Sequence, residues 1–110
     1  MKAKPELVGR PARPVERRLI RMLAEAEEFR VVLAQQLQES QLYVGLETEK
    51  IIAALILANL SGEPVQVTEL AGMLEEHERR LLFEILFEGP MEATWAEAES
   101  CLEALRKRQM

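Results

Sequence analysis

The chain has 110 residues, 48% of them hydrophobic and 30% charged, and a formal net charge of −5. That length supports one hydrophobic core burying about 65% of the unfolded surface, and excludes two domains. The single cysteine, Cys101, excludes an intramolecular disulfide and a cysteine-based zinc site, and the longest apolar run, Ile51 to Ala58, is too short to span a bilayer.

Charge is unevenly distributed. Residues 1–21 carry seven Lys or Arg against two Glu, whereas residues 22–105 carry four Lys or Arg against seventeen Glu. Arg106, Lys107 and Arg108 then follow together. An acidic body repels a phosphate backbone, so direct nucleic-acid contact by the bundle is not expected. The start, "MKAKPELVGRPARP", has no apolar stretch of the kind a secretory signal carries, and a cytoplasmic location is expected.

Residues 1–13, with Pro5, Gly9 and Pro11, read as a linker or basic tail, and a single domain is expected over 14–110. Pro14 suits the first turn of a helix. Val15, Leu19, Met22, Leu23 and Ala26 then form one apolar stripe, and Phe29, Val32, Leu33 and Leu37 a second. "QESQLYVGL" reads as a loop, after which Thr48 can cap a third helix running to about Leu60. Ile51 to Ala58 is apolar all round, which predicts the buried centre of the fold.

Ser61-Gly62 reads as a helix end, and Pro64 prevents continuation. "VQV" is expected to be extended, with Thr68 opening a helix that turns Leu70, Met73 and Leu74 inward. A fifth helix is expected over roughly Glu78 to Glu88, stopped by Gly89-Pro90. Thr94-Trp95-Ala96-Glu97 has the form of a capping box and opens a sixth helix over about 94–108, with Ala98, Cys101, Leu102 and Leu105 on one face. No alternating pattern suggests a strand. The fold class is therefore all-α: a six-helix bundle without a sheet.

Residues for chemistry are sparse. The chain has no aspartate and one histidine, His77, in "EEHERR", with no second His, Cys or Asp near it in sequence. Cys101 sits on the apolar stripe beside Glu97 and Glu99, which suits a small core residue and not an activated thiolate. No Glu-x-x-His pair or glycine-rich phosphate loop occurs. No catalytic, metal-binding or cofactor residue is assigned, and neither a cofactor nor a small-molecule substrate is expected. A helix-turn-helix reading over Thr68 to Glu88 places "EEHERRLLFEILFEG" where a basic recognition helix belongs, leaving only Arg79 and Arg80 for DNA.

Four pieces in order resemble the C-terminal helicase-binding domain of bacterial replicative primases. "PVERRLIRMLAEAEEFRVVLAQQL" is similar to its first helix pair, and "LETEKIIAALILANLSGEPVQVTELAGML" to its central helix, "GEPV" turn and following helix. "ERRLLFEILFE" is similar to its fifth helix, and "EAESCLEALRKRQM" to the helix leading out of the bundle. The resemblance runs from about Pro14 to the end. It implies the bundle subdomain, a fold shared with the N-terminal domain of the replicative helicase, and a non-catalytic role in docking the primase on that helicase during primer synthesis. The family's zinc ribbon, acidic catalytic core and terminal hairpin have no counterpart here, so no polymerase activity carries over.

Two contact regions are candidates for that partner: Leu105, Arg106, Lys107 and Arg108 at one helix end, and Glu75, Glu76 and Arg79 on an acidic rim. The first also reads as a helix end matched to its dipole, and the second as a solvated face. Trp95 is a candidate interface anchor, or packs beneath its own helix start. A DNA-binding regulator and a free-standing, self-associating helical adaptor are the alternative functions.

Overall fold

The computed structural model describes residues 13–63, 66–89 and 91–109. The expected linker, Arg13 apart, lies outside the described residues, as do Pro64 and Val65 of the "GEPV" turn and Pro90. Six helices follow in order: α1 (Pro14–Glu25), α2 (Arg30–Ser40), α3 (Glu49–Leu60), α4 (Val67–Gly72), α5 (Glu76–Leu86) and α6 (Trp95–Gln109). No strand occurs among the described residues. The all-helical bundle read from the sequence is the fold.

Most element boundaries follow from local chemistry. Pro14 occupies the first turn of α1, where its missing donor costs nothing. Gly62 adopts φ +85° just past α3 and Gly89 φ +114° after α5, a left-handed backbone that disfavours a side chain. Other boundaries need correction. α2 runs through Ser40, into the stretch expected as loop, and ends at Gln41 with φ 58°. α4 begins at Val67, so Thr68 lies inside it. α5 starts at Glu76, two residues early, because the Glu78 carboxylate accepts the Glu75 backbone N–H at 3.0 Å.

Two helices share the centre. α3 packs on α1, α2, α4 and α5, as its apolar sequence foretells, but α1 packs on α2, α3, α5 and α6. α1 accordingly buries more than its expected stripe: Ile20 is fully buried, and Glu16 and Arg21 are buried as well. The second stripe also shifts, since Phe29, Leu33, Ala34 and Leu37 face inward while Val32 is exposed. Val32 lies about 100° round the helix from Leu33, which takes it off the buried face.

Polar groups in the core tie helix ends together. Thr48 does not cap α3; its hydroxyl donates to Glu16 Oε1 at 2.7 Å, joining the loop before α3 to the first turn of α1. Asn59 Nδ2 donates to the carbonyls of Leu23 and Leu55, both at 2.9 Å, and its Oδ1 accepts from Arg30. That one side chain ties α1, α2 and α3, and satisfies a carbonyl near the end of α1.

Candidate functional site

The basic residues of α1 are used internally. Arg17 pairs with Glu84 on α5 and Glu88 just beyond it. Arg21, 5% exposed, donates to the carbonyls of Ile85 at 3.2 Å and Gly89 at 2.6 Å, supplying donors to the end of α5. Arg18 holds Glu97 of α6 through two hydrogen bonds. The positive balance of residues 1–21 is therefore not a surface patch as far as these three arginines are concerned.

The capping box before α6 is half made. Thr94 Oγ1 accepts the Glu97 backbone N–H at 3.2 Å, but the Glu97 carboxylate turns outward to Arg18. The Arg18 hydrogen bond pushes the Glu97 carboxyl below the usual range, and the Arg18 guanidinium is raised in return. Burial, with Glu97 adding to it, pushes the Cys101 thiol up, so Cys101 is an inert core group, as its place on the stripe suggests.

The candidate residues fall in three places. Leu105 is 1% exposed and belongs to the core; only Arg106, Lys107 and Arg108 of that group reach the surface, and Arg106 stands 3.5 Å from Glu103. Trp95 is half-buried, packing edge-on against Phe29 with ring centroids 5.7 Å apart, beneath the start of α6. Glu75 and Glu76 come together with His77 and Arg80 in one shallow depression.

That acidic rim is largely neutralised. Glu75 faces Lys50 at 3.5 Å and His77 at 3.8 Å, while Glu76 accepts from Arg80 at 2.9 Å. Arg79 turns away and donates to the Leu74 carbonyl at 2.8 Å. With Arg79 and Arg80 both engaged, the helix following α4 offers glutamates where a DNA reader needs free cations. Among the described residues, no group of three His, Cys, Asp or Glu side chains is placed to hold a metal ion, and no helix is long and apolar enough to cross a membrane.

The surface feature missed from sequence is apolar. Leu57 on α3 is 60% exposed, Met73 after α4 63%, and Phe87 after α5 79%, its ring stacked on Phe83 at 6.0 Å. The sequence pattern turns Met73 inward, and the structure does not. The turn after α4 carries it outward, because the Met73 N–H closes on Leu70 and α4 has already ended at Gly72. Leu57 is hidden in the sequence because it lies in the unbroken apolar run from Ile51 to Ala58, where periodicity marks no outer face. Compared with known protein families, curated proteins and solved structures, the chain matches none.

Proposed function

We propose that this chain is a protein-docking module, and that its partner is the N-terminal domain of a bacterial replicative helicase, on which it holds a primase in the cytoplasm while primers are made. The partner rests on the resemblance of its helix order and "GEPV" turn to the helicase-binding domain of primases. The docking role rests on one observation: among the described residues Leu57, Met73 and Phe87 are the most exposed large apolar side chains, well beyond Val31, Val32 and Val44, on a domain whose buried polar side chains are all partnered. Exposed aromatic, Leu and Met side chains in a small domain are the usual material of an interface.

Charge agrees with that role. All four cations between residues 22 and 105 are engaged: Arg30 with Asn59, Lys50 with Glu75, Arg79 with Leu74 and Arg80 with Glu76. The surface left over is acidic, which favours a basic partner over a polyanion.

The test is isothermal titration, with gel filtration alongside, of this chain against the helicase N-terminal domain from the same organism. Binding at tens of micromolar or tighter, about 6–7 kcal/mol of affinity, is expected. The absence of both binding heat and co-elution at that concentration overturns the reading.

A further inference from the structure

The α3–α4 junction holds a cleft of about 260 Å³ that opens on the surface. Its floor contains Ala54 and Ala58, one helical turn apart on α3, and Leu70 of α4. The two alanines leave a depression where a longer side chain would fill the groove. Leu57 and Met73 also line it and are mostly solvent-exposed, so both offer apolar surface without leaving the core. Methionine is unbranched and can reshape to an incoming side chain.

The rim supplies the second element of recognition. Glu63 and Glu69 border the cleft, and neither carboxylate is ion-paired among the described residues. They contrast with Glu75 and Glu76, whose charges are already met by Lys50 and Arg80. An apolar trough between two helices, flanked by free carboxylates, suits a helix with apolar residues at i, i+3 or i+4, and i+7 and with cations on its shoulders.

We propose that the α3–α4 cleft receives the apolar stripe of a lysine- or arginine-flanked amphipathic helix from a partner protein. The inference rests on reading the chain as a docking module, but it can fail on its own.

The probe is a short helical peptide with leucines at i, i+3, i+4 and i+7 and lysines flanking the stripe, titrated into the isotope-labelled full chain by NMR. Saturable amide shifts confined to residues 54–61 and 66–73 are expected, with helical signals from the bound peptide. Leu57→Glu or Met73→Glu should weaken binding at least tenfold, as expected for an anchor position, roughly. Changing Glu63 and Glu69 together to Lys should weaken it comparably and flatten its salt dependence. Both apolar positions are exposed, so unchanged thermal melting identifies variants that still fold.

Shifts centred elsewhere, or affinity unchanged by Leu57→Glu, overturn the proposal. So do an extended bound peptide, or the same shifts arising when the chain alone is concentrated, which would make a second copy the occupant. Peptide binding at the cleft without affinity for the helicase domain overturns the choice of partner and leaves the cleft standing. Helicase binding that survives both Leu57→Glu and Met73→Glu does the reverse.

Discussion

Arg18 on the first helix grips both carboxylate oxygens of Glu97 on the last, at 2.5 and 2.7 Å, across 79 residues of sequence. A third Arg18 hydrogen bond, from Nη2 to the Glu92 carbonyl at 3.1 Å, fixes the segment that leads into α6. Among the described residues, the pair is the side-chain hydrogen bonding that joins these two helices directly.

Because Arg18 lowers the Glu97 carboxyl, the folded state binds that proton more weakly than the unfolded chain does. The stabilisation is complete above the ordinary value of 4.5 and is lost as pH falls through the lower folded value. Glu97→Gln should therefore lower stability by about 1 kcal/mol at neutral pH, a figure already reduced for the partial exposure of both partners. Chemical denaturation at a series of pH values should show the gap between variant and wild type closing below about pH 4.

Arg21→Met keeps the length of the side chain and removes every donor. The Gly89 carbonyl loses the donor that Arg21 supplies, and the Ile85 carbonyl, which also accepts from the Glu88 N–H, loses one of its donors. A loss of about 2–3 kcal/mol is expected, with Arg21→Lys recovering only part of it because a single ammonium cannot span the same fork. Urea denaturation of the three proteins measures both effects.

Thr48→Val is nearly isosteric and deletes only the hydroxyl that donates to the Glu16 carboxylate. Both residues are 1% exposed, so water cannot replace the lost donor. The variant should lose about 2–3 kcal/mol, more than removal of a surface cap would cost. The change should be largely abolished when Glu16 is also replaced by Leu, since no buried carboxylate then lacks its donor; a double-mutant cycle reads this directly.

Gln41 ends α2 at φ 58°, a region that costs a residue with a Cβ about 1 kcal/mol. Gln41→Gly should raise stability by up to about 1 kcal/mol, less whatever the side-chain bond from Nε2 to the Gln38 carbonyl contributes. A rise in melting temperature checks it, and Gln41→Val should lower it.

The same residue shows where sequence reading stops. Gly62 announces the end of α3 because glycine is the cheapest residue in a left-handed backbone, whereas α5 ends at Leu86, ahead of the stop that Gly89 suggests. At Gln41 the chain adopts that conformation with a residue that gives no such signal, and the end of α2 was set too early. Thr48 and Glu97 were recognised as helix-start residues, but tertiary partners took their side chains: Glu16 in one case and Arg18 in the other. A local motif names the groups that can bond, and packing decides which of the competing bonds is made. The apolar surface at Leu57 and Met73 was illegible for a related reason, since periodicity sorts inner from outer faces only where polar residues mark the outside.

The reliance of α1 on distant partners also orders events during synthesis. Its arginines meet α5 and α6 only through contacts 64 to 79 residues away. On the ribosome α1 emerges before the helices that cover it, displaying Leu19, Ile20, Met22 and Leu23 with α2 and α3 to cover only part of them. Closing the domain must wait for α6 to leave the exit tunnel and carry Glu97 back to Arg18. Until then the earlier helices stand as an open scaffold, with Arg18 still lacking its carboxylate partner.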